Sequence, residues 1–441
     1  IEVGELDLEV YTSHGVTFYP QDDDIDADQL LRQADQAMYQ AKLAGKGRFH
    51  LFDAEQDRNV RGHHESIDRI RRALEEREFV LYYQPKVNTR TGALIGVEAL
   101  IRWQHPERGL LAPAVFLPVI EDHPLSIEIG EWVIDSALSQ IRHWREAGLH
   151  IPISVNVGAR QLLQKDFTAS LRRILARYPE TQPGDLNIEV LETSALEDLA
   201  QVSRIIDECR NIGVRFSLDD FGTGYSSLTY LKRLSVDQLK VDQSFVRGML
   251  DDPDDLAILG GVLSLAEAFS RDVIAEGVET VAHGAMLLQL GCELAQGYGI
   301  ARPMPAENIP GWIQVWRPDP AWSNLPPIRR DDLPLLFASI EHRAWIAAID
   351  AMFRGERETL PLIHHHCRFS TWLETEGRKL HGDHPAFQLV TLLHQETHAL
   401  AKELCSEKEH GHAEEARVRL PELHDLYRAL AEPIQKLSGV G

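Results

Sequence analysis

Basic charge is what the sequence is shortest of. It carries 45 Lys and Arg against 68 Asp and Glu, a formal net charge of −23. A nucleic-acid backbone needs a basic face, so this balance argues against nonspecific DNA or RNA binding. It leaves room for a small phosphate ligand, because bound metals supply positive charge locally. Cysteine is also scarce. Cys209, Cys292, Cys367 and Cys405 are widely spaced and show no disulfide-scaffold pattern, which points to a reducing cytoplasm. No apolar run reaches the roughly 20 residues of a membrane span, and no signal-peptide pattern opens the chain. The chain opens at Ile1 rather than Met, partway into a folded-looking pattern. It therefore reads as a piece of a longer protein, whose preceding part has room for sensors or a membrane anchor. At 441 residues, two or three domains are expected.

What is present organises around residues 211–227, NIGVRFSLDDFGTGYSS. An apolar run ends in two adjacent carboxylates, Asp219 and Asp220, and a loop with Gly222 and Gly224 follows. Like charges at contact distance force one pKa upward unless a cation removes the cost. On either side, β-rich runs at 79–87, 93–101, 151–157, 186–191, 214–218, 238–241, 273–275 and 294–298 alternate with helical-period segments. That alternation predicts an α/β fold, a TIM-like (β/α)8 barrel. Glu98, Asn156, Glu189, Asp219, Asp220, Lys240, Asp242, Glu276 and Glu279 each lie in or just beyond the later part of a run. In such a barrel those ends converge on one face, where chemistry is built. Carboxylate and amide oxygens without clustered His or Cys favour Mg2+ or Mn2+ over zinc. A pair of such ions suits in-line displacement at phosphorus, and Lys240 is placed to orient water or to neutralise developing charge.

These positions resemble the EAL phosphodiesterases, which hydrolyse cyclic di-GMP. The resemblance rests on VEALIRW at 97–103 and on YYQPK at 82–86, SVNVGARQL at 154–162, EVLE at 189–192, DDFGTGYSSL at 219–228, LKVD at 239–242, EGVE at 276–279 and QGYGIARPMP at 296–305. It implies that Glu98, Asn156, Glu189 and Asp219 hold a first metal. Asp219 would bridge to a second metal served by Asp220, with Glu276 beside it either as a ligand or as a proton acceptor. It further implies Lys240 at the attacking water; Gln84, Arg102, Asp242, Glu279 and Gln296 toward substrate; Glu192 holding the 219–227 loop; a homodimer through the barrel; and linear pGpG as product. Two departures stand out: Leu191 where Thr is usual, and Gly158 where Ser is usual. A catalytically silent cyclic-di-GMP receptor is the alternative. Residues 1–60, through LLRQADQAMYQAKLAGKGRFHLF at 30–52, resemble the C-terminal end of a GGDEF (diguanylate cyclase) domain without its signature loop, followed by a linker helix.

The barrel is expected over 61–317, a proline-rich linker over 318–334, and an all-α four-helix bundle over 335–441. In the last, His394 and His398 share a helix face, Cys367 begins Cys-x-Phe-x-x-Trp, and His342 opens the first helix. One thiolate and three imidazoles make a tetrahedral zinc set. The order of these motifs resembles the chemoreceptor zinc-binding (CZB) domain, which implies Zn2+ bound by His342, Cys367, His394 and His398 and a regulatory role. A di-iron bundle would need bridging carboxylates at paired spacings.

Overall fold

Alternation with period two shapes the central strands. In β-strands successive side chains point to opposite faces. Ile153 and Val155, Ile188 and Val190, Phe216 and Leu218, Leu239 and Val241 are buried apolar residues. Ser154 and Asn156, Asn187 and Glu189, Ser217 and Asp219, Gln238 and Lys240 interleave with them. A strand with one apolar and one polar face closes most easily into a barrel that has apolar residues under the helices and polar ones inside.

The structure, a computed structural model, describes residues 2–3, 6–7, 12–20, 26–43, 48–52, 54–224, 228–323, 325–356 and 368–437. Eight strands close on themselves: β1 (Phe79–Asn88), β2 (Leu94–His105), β3 (Ile153–Asn156), β4 (Leu186–Leu191), β5 (Arg215–Phe221), β6 (Gln238–Val241), β7 (Asp272–Ala275) and β8 (Leu294–Ala295). From β2 to β8 each neighbour is parallel. β1 runs antiparallel to both β2 and β8. The expected (β/α)8 pattern thus holds with its first strand reversed. A β-hairpin, β1–β2, replaces the first crossover, because residues 89–93 are too few to hold a helix.

Contacts divide the chain into two compact units, residues 1–78 with 114–123, and residues 79–113 with 124–441. In the first, strand His14–Val16 pairs in parallel with Phe49–Leu51. Helix Ala27–Leu43 packs on that pair so closely that a Cβ on Gly15 would collide with the Ala34 carbonyl oxygen. Helix Ala54–Glu75 follows.

The second unit holds the barrel and a helical bundle. Between β6 and β7 runs helix α1 (Pro253–Ala268). The bundle comprises α2 (Leu333–Arg354), α3 (Arg368–Glu374), α4 (Glu376–His381), α5 (Pro385–Glu409) and α6 (Ala413–Leu437). Helix α2 begins well before the expected start, with a proline in its first turn, so His342 is in mid-helix rather than opening it. Two apolar clusters fill the bundle. One contains Leu335, Ala338, Phe369, Trp372 and Val390; the other contains Trp345, Ile349, Ala401 and Leu404. No helix among the described residues is long and apolar enough to cross a membrane.

The 318–334 segment is more than a spacer. Helix Pro320–Ser323 buries Trp322, whose Nε1 donates to the Val281 carbonyl at 2.8 Å. The Ile328 N–H donates to the Gln289 carbonyl at 2.8 Å. At its other end, Asp332 is buried and accepts from His381 at 2.6 Å, and Trp372 Nε1 donates to the Asp331 carbonyl at 2.8 Å. The prolines signal a linker, but the tryptophan among them anchors it. Trp322→Ala should lower the melting temperature, consistent with the loss of about 3–5 kcal/mol typical of a buried aromatic. Gly284→Ala should do the same, since a Cβ there would sit 2.5 Å from the Trp322 ring. An unchanged thermal unfolding curve for both variants would mean that the segment is only loosely attached.

Candidate active site and metal centres

Strand ends bring the predicted acids together. Glu98 and Glu189 are buried on β2 and β4, and Asp219 is buried near the end of β5. One oxygen from each lies within 4.8 Å of the others. Asp219, Asp220 and Glu276 form a second such group. Adjacent residues on a regular strand point to opposite faces, so Asp219 and Asp220 need a local exception. The register with β6 shifts between Leu218 and Phe221, and Asp220 takes φ +53°. That left-handed angle costs Asp less than most residues, and it turns the second carboxylate toward the first.

Lys240, 1% exposed, sits among these acids. Its Nζ lies 2.6 Å from Glu189, 2.6 Å from Glu276, 3.0 Å from Asp219 and 3.6 Å from Glu98. Lys86 adds a second buried cation 3.0 Å from the other Glu189 oxygen. Burial works against the Glu189 carboxylate, but Lys240 and then Lys86 outweigh it and hold its pKa down at about 2. The remaining acids share what is left. Burial, then Asp219 and Asp242, pushes Asp220 up to about 6. Burial pushes Glu276 up to about 8 despite its contact with Lys240. Glu98 is raised by burial, opposed by Lys240. Lys240 is itself held well above the usual lysine range, because its four carboxylate neighbours outweigh its burial. Five carboxylates facing two ammonium groups form a donor set that suits hard divalent cations.

The other predicted residues divide. Asn156 donates to Glu98 at 2.7 Å, Gln296 donates to Glu98 at 2.6 Å and to Gln84 at 3.0 Å, and Gln84 donates to the Ala301 carbonyl at 3.0 Å. Asp242 both accepts from the Ser244 N–H at 2.9 Å, capping helix Gln243–Gly248, and faces Asp220. Glu192 is buried and accepts from the Gly222 N–H at 2.9 Å. Gly222 has φ +103°, where a glycine is needed. Gly224 does not; there a Cβ would press within 3.2 Å of the Glu192 carboxyl. Arg102 lies further along β2, its guanidinium 5.8 Å from the centre of the Tyr82 ring. Glu279 pairs with Arg247 at 2.6 Å instead of joining either acid group. The reading of the sequence missed Lys86 and the polar residues Ser154, Asn187 and Ser217 beneath the acids. Their period-two spacing from Asn156, Glu189 and Asp219 was the available signal.

In the bundle, His342 and His394 are buried and His398 is half-buried, with a nitrogen of each within 4.8 Å of the others. They sit between the two apolar clusters. His342 Nδ1 lies 2.6 Å from the Ala338 carbonyl, which can only accept, so Nδ1 carries the proton and Nε2 faces inward. Burial, then His342 and His398, pushes His394 down to about 3, and burial lowers His342. Both imidazoles are therefore neutral at ordinary pH, the form that binds metal. Cys367 lies outside the described residues.

Residues 67–303, more than half of the chain, match the EAL domain family. The chain belongs to that family. Residues 342–405 match the chemoreceptor zinc-binding domain, and residues 1–48 match the diguanylate cyclase GGDEF domain. The bifunctional diguanylate cyclase/cyclic di-GMP phosphodiesterase MucR of Pseudomonas aeruginosa is 40% identical over 70% of this chain and 45% of its own length. The cyclic di-GMP phosphodiesterase PdeR of Escherichia coli strain K12 is 36% identical over 70% of this chain and 46% of its own. The chain thus spans about half the length of the curated relatives it matches. Similar solved structures include the following two. The PaMucR phosphodiesterase in complex with c-di-GMP has a TM-score of 0.54 at 43% identity, covering 56% of this chain and 99% of that one. The EAL enzyme Bd1971 bound to cAMP and cyclic-di-GMP has a TM-score of 0.56 at 30% identity, covering 66% and 77%.

Within this EAL barrel the two departures are accommodated without crowding the acids, although Leu191 pairs in register with Asp219. Leu191 is exposed, and a Cβ on Gly158 would meet open space. The raised acids give a pH signature. A carboxyl whose pKa is higher in the folded state binds more protons folded than unfolded, so stability falls as pH rises. From about pH 7, above the ordinary histidine range, to about pH 8, the limit set by Glu276, the metal-free chain should melt at progressively lower temperature; below that range the buried His342 and His394, held under their ordinary value, act with the opposite sign. Added Mg2+ or Mn2+ should flatten that slope. A melting temperature that rises over this range without metal would contradict the crowding of charge described here.

Proposed function

We propose that the chain hydrolyses cyclic di-GMP to linear pGpG in bacterial second-messenger signalling, and that its C-terminal bundle regulates the reaction. The observation that carries this reading is the gathering of four carboxylates around Lys240, with Asp220 beside two of them. A silent receptor is disfavoured for the same reason, since the groups that chemistry needs are in place.

Glu98, Asn156, Glu189 and Asp219 would hold one Mg2+ or Mn2+, and Asp219, Asp220 and Glu276 a second. Bound divalent cations supply charge that polarises the phosphodiester and lowers the pKa of water. Lys240 orients the attacking water with one N–H and meets the negative charge that develops on the phosphoryl oxygens. Glu276 accepts the proton that the water gives up. The water oxygen bonds to phosphorus, the bond to the ribose 3′-oxygen breaks, that oxygen takes a proton from solvent to become the 3′-hydroxyl, and a 5′-phosphate remains on the opened ring. Gln84, Gln296, Arg102, Asp242 and Glu279 are assigned to the substrate side, and Glu192 to holding the Asp219–Asp220 loop. A homodimer through the barrel and a cytoplasmic setting complete the reading.

Regulation has a physical route. Helix α2 carries His342 and also faces the barrel. Phe337 on α2 would lie 3.5 Å from a Cβ on Gly260 of α1, and Arg343 lies 3.9 Å from Asp251. Helix α1 joins the strand of Lys240 to the strand that leads to Glu276. Zn2+ held by His342, Cys367, His394 and His398 would fix α2, and with it the surface that α1 packs against.

Two experiments test the reading. Incubating cyclic di-GMP with the chain and Mg2+ or Mn2+ should give pGpG on chromatography. Lys240→Met or Glu98→Gln should slow this by at least roughly 10²–10³-fold while binding persists. A Lys240→Met protein with near-normal turnover would overturn the assignment. Elemental analysis should find one zinc per chain, lost in His394→Ala, and the rate should change with it. Zinc retained in His394→Ala, or a rate indifferent to zinc removal, would separate the bundle from the barrel's chemistry.

A further inference from the structure

One buried cation remains without a role. Lys86, on β1, is 4% exposed. It donates to the Ser154 hydroxyl and to Glu189 Oε1, the latter at 3.0 Å. Ser154 also accepts from Asn187 Nδ2 at 3.0 Å, Asn187 donates again to Ser217 at 2.8 Å, and Ser217 donates to Gln238 at 3.3 Å. Five strands thus contribute one polar side chain each to a continuous layer. On the parallel strands this layer lies two residues before the site: Ser154 before Asn156, Asn187 before Glu189, Ser217 before Asp219, Gln238 before Lys240. On the reversed strand β1 the order inverts, and Lys86 falls two residues after Gln84. All members but the half-buried Gln238 are buried; such a layer is costly unless satisfied, and here each member has a partner.

We infer that Lys86 is a positioning residue for the phosphodiester-cleaving site, and that the layer beneath it holds Glu189 so that one oxygen, Oε2, faces the metals and Lys240. The inference deepens the function proposed above and rests on that reading. Glu189 is 0% exposed, and it divides its two oxygens between two lysines. Lys240 stands with the acids, whereas Lys86 is tied to the barrel interior through Ser154. Without Lys86, Glu189 Oε1 is left buried and unsatisfied, and the carboxylate is free to rotate or take up a proton.

Simple charge reasoning predicts the opposite sign, which makes the inference testable. Removing a cation beside a cation site should by Coulomb attraction alone tighten metal binding. A positioning role predicts weaker binding. The test is calorimetric titration of the metal-free chain with Mn2+, which requires no turnover. Lys86→Met should weaken Mn2+ binding by about 10–100-fold, the range seen when partners of metal ligands are lost. It should lower kcat for cyclic di-GMP with little change in KM, and Lys86→Arg should restore part of both. Unchanged or tighter Mn2+ binding in a folded Lys86→Met protein would overturn the inference. If that variant does not fold, Asn187→Leu keeps both lysines and cuts the layer. It should weaken Mn2+ binding in the same direction, and unaltered binding would be equally decisive against the layer. A wild-type chain that binds Mn2+ but leaves cyclic di-GMP intact would instead defeat the proposed function.

Discussion

One ammonium group shared by four carboxylates is the constraint on which the barrel's chemistry depends. Lys240 lies within 3.6 Å of Glu98, Glu189, Asp219 and Glu276 at a site almost closed to solvent. A single positive charge cannot stabilise four negative ones. Glu189, which has two lysines, stays ionised, and Glu276 and Asp220 are pushed toward their protonated forms. Strand geometry imposes this crowding, because parallel strands deliver their ends to one face whatever charge they bear. The fold thus holds a charge arrangement that is uncomfortable alone and comfortable with divalent cations. That is what metal-assisted phosphodiester cleavage requires.

The second unit extends this logic to its helical end. Three histidines are set between two apolar clusters, where burial keeps His342 and His394 neutral and available. The segment between barrel and bundle is pinned at both ends, by Trp322 on the Val281 side and by Asp332 on the His381 side. The ion pairs that also span the junction, such as Arg343 with Asp251, are exposed and contribute little by themselves. Apolar packing and buried hydrogen bonds therefore carry the mechanical connection.

Much of this was legible in the residues. The eight strands follow from apolar runs, and the acids at their ends follow from counting along them. The pairing of Asp219 with Asp220 could be seen, but not the register shift and the positive φ that let both face inward, since these arise from packing against β6. The reversed first strand was hidden because an apolar run does not state its direction. The Pro-rich stretch signalled a break, and Trp322 within it argued the reverse more weakly. Lys86 went unassigned because a lone lysine in an apolar run is normally a solvated end; here Ser154 and Glu189, from two other strands, take its hydrogen bonds. Arg102 came from resemblance alone and meets the Ile101 carbonyl and the Tyr82 ring, whereas Glu279, placed at a strand end by counting, pairs with Arg247.

The most direct measurement is the stoichiometry of Mn2+ bound by the metal-free barrel, read by electron paramagnetic resonance with zinc already supplied to the bundle. Two manganese ions per chain, magnetically coupled through a shared Asp219 and reduced in number by Asp219→Asn, is the expected result. A barrel that binds no manganese at millimolar concentration, or whose binding ignores Asp219→Asn, would show that the gathered carboxylates are not a metal centre.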